Sequence, residues 1–232
     1  MKELKPYVRK CKSRVKGNLY FSLFTLPFFV FTLAACSNSE DDEEDTFPAL
    51  VTEMGVVRVG SNVTNVTLIT DSGKSYRVAS EIEGLKANAW MRCMVGYVVQ
   101  DAGEVEIRTL KGVGVLPDCS DRATLKRDPV GVVSAWTGGG FINMHLLKKN
   151  HGADHEWGYI LDDSYANASG GTTYEVSLYH DQRNDPPAYS TDIYFSLSLD
   201  ALAKTRTSAD SIRLTIHTFE KSPHQWLFAL TP

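Results

Sequence analysis

The chain is poor in cysteine, and this excludes a protein held together by many disulfide bridges. Only four of its 232 residues are cysteine, and beyond residue 36 only Cys93 and Cys119 remain. Secreted domains that depend on disulfides carry far more cysteines in fewer residues. A single bridge between these two stays open, because sequence cannot place two Cα atoms within bonding range, but two ordinary core thiols are the better expectation.

A basic surface is missing as well. The first 17 residues hold seven of the 24 lysines and arginines and one of the 28 acids, so 17 basic and 27 acidic residues follow. Six of those acids lie in 40–45, which leaves the body from Thr46 onward with a net charge near −4. An acidic body without a basic stripe argues against binding to nucleic acid.

Signatures of catalysis are absent too. No Gly-x-Ser-x-Gly occurs, and the segment from His155 fails the zinc-protease pattern because Tyr159 stands where the second histidine is needed. His151 and His155 are four residues apart, but they fall in a predicted loop, where surface histidines are expected rather than a metal site. The sequence therefore predicts no catalytic, cofactor-binding or metal-binding residue.

Two carboxylate pairs are the remaining candidates for an enzyme. Glycoside hydrolases use two acids, and the pairs here are Asp162–Asp163 and Asp181–Asp185. Acids at the ends of strands are more often solvated turn residues, so we expect a protein that is not an enzyme, with a hydrolase as the least favoured alternative.

The chain begins with an export leader. Its basic start is followed by an uncharged apolar run from Leu19 to Leu33, and small residues then precede Cys36. Such a leader is typical of a cleaved secretory signal, and Leu33-Ala34-Ala35-Cys36 looks like a bacterial lipobox. We expect a signal peptide over residues 1–35 and lipid on Cys36, which would hold the protein at a membrane.

The next stretch predicts a tether. Residues 40–45 are all acidic, so they cannot collapse into a core, and residues 36–49 should form a flexible, solvated link. An acidic stretch directly after a lipidated cysteine resembles the surface-export signal of Bacteroidota lipoproteins. That resemblance implies an outer-membrane anchor with the body facing the cell exterior, whereas the alternative is a plain spacer.

Alternation of apolar and polar residues dominates the body and predicts an all-β fold. Between residues 50 and 118 five short strands are expected, with a hairpin turn at 71–74, which is the size and rhythm of an OB-like small barrel. Residues 119–129 have no apolar period and are predicted to link two domains. Seven further strand-like runs in 130–232 predict an antiparallel β-sandwich, with one helical turn at 200–204.

The order of these parts resembles the NigD-like lipoproteins. The likeness rests on three segments: Asp128-Pro129-Val130, Ser134-Ala135-Trp136-Thr137-Gly138-Gly139-Gly140-Phe141-Ile142-Asn143 and Tyr194-Phe195-Ser196-Leu197-Ser198-Leu199. It implies an N-terminal OB-like domain and a C-terminal β-sandwich in an envelope lipoprotein. No biochemical activity and no catalytic position come with this resemblance.

The function expected from the sequence is therefore that of an envelope-anchored binding or structural module with an unknown ligand. The four tryptophans keep a glycan-capture role open, although Trp136 and Trp157 are expected to pack in the core. A partner of a bacteriocin or secretion system is the other alternative. Neither the ligand nor the oligomeric state is encoded in a motif.

Overall fold

The computed structural model describes residues 2–3, 49–79, 82–100 and 103–230 of the chain. The expected leader, Cys36 and the acidic tether lie outside these ranges, apart from the backbone of residues 2–3. Within the described ranges no helix has the length and apolarity needed to cross a membrane.

Almost all regular structure is β-strand. The strands are β1 (Lys2–Glu3), β2 (Leu50–Val59), β3 (Val66–Thr70), β4 (Ser75–Val78), β5 (Ala89–Val99), β6 (Glu104–Gly112), β7 (Gly114–Val115), β8 (Gly131–Gly138), β9 (Phe141–Asn150), β10 (Glu156–Ala166), β11 (Thr172–Asp181), β12 (Tyr189–Ser198), β13 (Ser211–Ile216) and β14 (His224–Ala229). A single helical turn, α1 (Leu199–Leu202), follows β12. The all-β prediction is confirmed.

The first large unit is a closed barrel of five strands. Its sheet runs β5-β2-β3-β4-β6, and β6 pairs again with β5, which closes the barrel. The β4–β6 contact is parallel and the others are antiparallel. Alternate residues of the strands, such as Val57, Leu68, Cys93 and Val95, fill the interior. Full closure leaves no unpaired strand edge within the barrel itself, and β1 adds a parallel pairing to β5.

The second unit consists of two four-stranded sheets. One sheet has the order β10-β11-β13-β14 and the other β7-β12-β9-β8. Their facing side chains form one apolar core that includes Leu146, Leu178, Leu197 and Leu214. The β11–β13 and β7–β12 pairings are parallel, so both sheets are mixed rather than purely antiparallel.

The segment 119–129, between the barrel and the sandwich strands, is bonded to the sandwich. The Cys119 amide donates to the Tyr159 carbonyl at 2.8 Å, and the Asp128 amide donates to the His180 carbonyl at 2.9 Å. Cys119 itself is buried against Ile160 and Tyr179. Both ends of the stretch 119–129 are thus hydrogen-bonded to β10 or β11.

The two cysteines of the body are free thiols in different places. Cys93 lies in the barrel core, whereas Cys119 lies beside β10 and β11, and both are buried. Burial raises the pKa of the Cys93 thiol to about 12, so this thiol stays protonated and unreactive.

Candidate functional site at the barrel–sandwich junction

A glycine turn brings the sandwich against the barrel. Gly138 and Phe141 are paired across the β8–β9 hairpin, and Gly139 and Gly140 form its tip with φ of 57° and 82°. Positive φ at both central residues is that of a type I′ turn, which favours glycine. A Cβ atom on Gly139 would collide with an Asp71 carboxylate oxygen, so the missing side chain makes room for Asp71.

Asp71 enters a buried polar network whose other members come from three strands. Arg92 of β5 donates from its two terminal nitrogens to both Asp71 oxygens, each at 2.5 Å. Asn143 of β9 donates to Asp71 at 2.9 Å, and its own carbonyl oxygen accepts from Arg92 at 2.8 Å. Ser196 of β12, the cross-strand neighbour of Asn143, accepts from Arg92 Nε at 3.0 Å.

This network joins the two units. Arg92 and Asp71 belong to the barrel, whereas Asn143 and Ser196 belong to the sandwich and are fully buried. The Arg92 guanidinium also lies over the Phe141 ring, 4.2 Å from its centroid. A buried charge is tolerated only when it is paired and its donors are satisfied, and every nitrogen of this guanidinium has an acceptor. The network therefore fixes the orientation of the two units.

A cleft of about 470 Å³ opens beside this network. Its barrel wall comes from β2, β3 and β5, and its sandwich wall comes from the β8–β9 turn, the end of β12 and the loop after α1. Trp90, which is half-buried, and Arg58, which is exposed, stand opposite each other in the β2–β5 register. Phe141 and Arg206 face the same space from the sandwich. A concave site of this size with a few convergent polar groups is typical of small-ligand binding.

The two arginines that line the cleft differ in their hydrogen-bond and ion-pair partners. Arg206 forms an ion pair with Asp200 and donates to the Ala203 carbonyl at 3.3 Å, both through Nη1. Its Nε is buried and has no partner among the described residues. The side chain of Arg58 makes no hydrogen bond or ion pair with any described residue, so its charge is open to solvent.

A second polar cluster lies where β10 begins and β11 ends. His180 Nδ1 contacts the Asp128 carbonyl at 2.9 Å, and its Nε2 lies 2.8 Å from Nδ1 of His155. Nε2 of His155 lies 3.1 Å from the Asp185 carboxylate. Trp157 stacks on His180 at 4.0 Å between ring centroids. The prediction of a surface histidine is wrong for His155, whose side chain has 0% exposure.

The donors and acceptors in the hydrogen bonds of His180 and His155 follow from the chemistry of their partners. A carbonyl only accepts, so Nδ1 of His180 must donate to Asp128. Burial lowers the pKa of His180 to about 4, and at neutral pH its Nε2 therefore accepts from His155. Burial opposes ionisation of Asp185, but hydrogen bonds from the His151 amide and from His155 outweigh it and hold the pKa of that carboxyl below its ordinary value. The His155–His180 hydrogen bond therefore runs from Nδ1 of His155 to Nε2 of His180.

The acid pairs singled out in the sequence are held by structural partners. Asp162 forms an ion pair with Arg127 and accepts a hydrogen bond from Ser177. It lies inside β10, next to a bulge between Leu161 and Asp163, rather than in a turn. In the described part of the chain no group of three or more His, Cys, Asp or Glu side chains is arranged to hold a metal ion.

The sequence alone assigned no role to the residues of the polar network at the junction. Asn143 and Ser196 both fall in segments that carried the family resemblance, where they marked the fold and were given no role. Arg92 occupies a polar position of an alternating strand, and such a position usually faces solvent. A signal existed in the neighbours of Asn143, since a lone amide between Ile142 and Met144 in a strand often marks a buried polar contact.

The chain is an all-β protein in which a closed barrel is followed by a two-sheet sandwich. Residues 113–229 match the family model described as the NigD-like C-terminal beta sandwich domain. The match covers half of the chain, and the chain belongs to the NigD-like family. The matched region begins at residue 113, between the end of β6 and the start of β7, the short strand that pairs with the sandwich.

Solved structures share the whole architecture. A NigD-like immunity protein from Bacteroides caccae is 26% identical, with a TM-score of 0.60 over 80% of this chain and 99% of its own. A candidate toxin-related protein from Parabacteroides distasonis is 16% identical, with a TM-score of 0.64 over 79% of this chain and 94% of its own. A candidate lipoprotein from Bacteroides fragilis is 12% identical, with a TM-score of 0.53 over 77% and 96%. The last two show the fold alone.

No curated protein matches the chain. The family and the fold are therefore established by these comparisons, and they carry no reaction with them.

Proposed function

We propose that this protein is a lipid-anchored, non-catalytic binding or structural module of the bacterial envelope, attached to the outer membrane through Cys36 and facing the cell exterior. The observation that carries the proposal is the placement of Cys36, between an export leader and an acidic stretch that ends just before the first strand of the barrel at Leu50. Several acyl chains on one cysteine give a stable attachment, and a solvated tether lets the body stand away from the lipid.

The geometry of the body favours binding over catalysis. Two candidate acids have structural partners, since Asp162 bonds to Arg127 and Ser177, and Asp185 bonds to the His151 amide and His155. The cleft beside the junction, in contrast, presents a free cation and an aromatic ring to solvent. The candidate lipoprotein from Bacteroides fragilis, with the same fold, is consistent with a place in the envelope.

The anchor is tested by replacing the cysteine. Cys36→Ala should abolish incorporation of a clickable palmitate analogue and leave the uncleaved precursor, because the thiol is the site of lipid attachment. The matched control is Cys93→Ala, which should keep the label, since that thiol lies in the barrel core. Acyl label that persists in the Cys36 variant would refute lipid attachment there.

Orientation is tested through the tether. Protease added to intact cells should remove the body of the wild-type protein. Replacing all six acids at 40–45 with serine should protect it, because the protein would then stay on the periplasmic face of the membrane. Equal digestion of both forms would mean that the acids at 40–45 are a plain spacer and not a signal for surface export.

A protein partner is the second candidate function, and the relative from Bacteroides caccae favours it because it is a NigD-like immunity protein. An immunity role predicts that cells lacking this protein are inhibited by culture supernatants of related strains at dilutions that wild-type cells survive. Complementation with the native chain should restore growth, whereas unchanged sensitivity would exclude this role for the supernatants used.

A further inference from the structure

The cleft at the junction has a distinct chemical character. Its barrel wall places Trp90 beside Arg58, and its sandwich wall contributes Arg206. The two acids that line it are already engaged, because Asp71 is bound by Arg92 and Asp200 by Arg206. Because Arg92, outside the lining, neutralises Asp71, Arg58 is the cation of the lining whose charge no described acid balances, and it lies in a concavity rather than on an open face.

The cations leave donors unused. Arg58 has no partner among the described residues, and Arg206 uses only Nη1 for the contacts that the structure records. The Nε–H of Arg206 is buried without an acceptor, which is costly to a folded protein unless water or a ligand supplies one. Guanidinium groups bind carboxylates through two parallel hydrogen bonds, so an anionic oxygen pair is the group that these donors fit.

The aromatic ring adds a second requirement. Trp90 is half-buried and lines the cleft next to Arg58, so its ring offers an apolar surface beside a cation. Aromatic faces pack well against the C–H face of a sugar ring, and a carboxylate on that sugar would reach the arginine. One molecule that carries both features is a uronic acid.

An extended peptide fits this wall less well. Peptides that bind a sheet usually add a strand to an unpaired edge. The barrel strands that line the cleft, β2, β3 and β5, each have hydrogen-bonded neighbours on both sides in the closed sheet. Recognition there must come from side chains, and a volume of about 470 Å³ suits one or two sugar units better than a folded partner.

We propose that the cleft between the barrel and the β8–β9 turn binds a carboxylate-bearing sugar, with Arg58 and Arg206 contacting the carboxylate and Trp90 packing on the ring. This names the ligand class of the binding module proposed above and rests on that function. The sugar would be captured and not cleaved.

Calorimetric titration of the full-length lipoprotein in detergent micelles tests this directly. The probes are digalacturonate, the neutral disaccharide galactobiose and the acidic peptide tetraglutamate. Digalacturonate should bind at least tenfold more tightly than galactobiose, and its affinity should fall as salt is raised, because exposed charges are screened. No binding of digalacturonate, or equal binding of the neutral sugar, would overturn the proposal, and tighter binding of tetraglutamate would assign the cleft to acidic peptides instead.

Variants locate the site. Arg58→Gln and Trp90→Ala should each weaken digalacturonate binding at least tenfold, and Arg206→Lys, which keeps the charge but removes the paired donors of the guanidinium, should weaken it severalfold. Arg77→Gln is the matched control, because this arginine lies on β4, does not line the cleft, and is 76% exposed. Unchanged binding in Arg58→Gln, with an unchanged melting temperature, would refute the site. The titration does not depend on the anchor, so its failure leaves the Cys36 experiment unaffected.

Discussion

Arg92 and Asp71 form a two-pronged ion pair at the boundary between the barrel and the sandwich. The Arg92 side chain has 0% exposure and that of Asp71 12%. Asn143 and Ser196 of the sandwich also accept hydrogen bonds from Arg92. The Arg92–Asp71 pair therefore links two segments of the barrel and is part of the network that joins the barrel to the sandwich.

Removing the Asp71 charge should destabilise the fold strongly. Asp71→Asn leaves the Arg92 guanidinium buried without a carboxylate, and loss of one partner of a buried pair costs about 3–5 kcal/mol. Denaturant unfolding measures this, with Glu104→Gln as the control, because Glu104 pairs with an arginine that is 76% exposed. The control should lose less than about 1 kcal/mol. Equal losses in the two variants would mean that the junction does not depend on this pair.

The two turn glycines should respond differently to alanine. Both have positive φ, which costs a non-glycine residue about 1–2 kcal/mol. At Gly139 the new methyl group would also meet the Asp71 carboxylate, whereas at Gly140 nothing lies within 4 Å. Gly139→Ala should therefore lower the free energy of unfolding more than Gly140→Ala. The reverse order in denaturant unfolding would contradict this contact.

Stability should depend on pH through His180. Burial lowers its folded-state pKa from 6.5 to about 4, so the unfolded chain binds a proton that the folded chain does not between these two values. The stabilisation is thus complete above pH 6.5 and is lost as the pH falls toward 4, with a total on the order of 3 kcal/mol. His180→Asn, which keeps a donor for the Asp128 carbonyl, should flatten this slope. Denaturant unfolding from pH 7 to pH 4 measures both, and equal slopes would exclude His180 as the source.

Proteolysis should reveal where the barrel ends. We propose that the boundary lies at residues 112–113, because β7 pairs with β12 of the sandwich and Cys119 packs against β10 and β11. Residues 121–126 are exposed, so trypsin should cut after Arg122 or Lys126. The fragments should stay together under native conditions and separate only in denaturant. Separation in buffer alone would return the boundary to the stretch 119–129.

The strands themselves were largely predictable. Period-two alternation located all five barrel strands and all seven sandwich runs, because one face of each strand is buried and the other is not. Alternation fails where both faces are exposed. The sequence therefore predicts turn residues at Asp162 and Asp163, whereas β10 continues through a bulge to Ala166.

Strand neighbours and long-range contacts were not predictable. A strand's pattern is the same whether its partner is parallel or antiparallel, so the parallel β11–β13 pair left no mark in the sequence. The Arg92–Asn143 hydrogen bond joins residues 51 apart, and the cleft depends on that packing. The proposed lipid site is the opposite case, since the prediction of lipid on Cys36 rests on a local motif.

The mass of the N-terminal peptide of the protein isolated from native membranes tests the proposed membrane anchor most directly. Lipid attachment at Cys36 predicts a peptide that begins at Cys36 and carries the added mass of a diacylglycerol and an acyl chain. A peptide that begins upstream of Cys36, or one that begins at Cys36 without lipid, would contradict it.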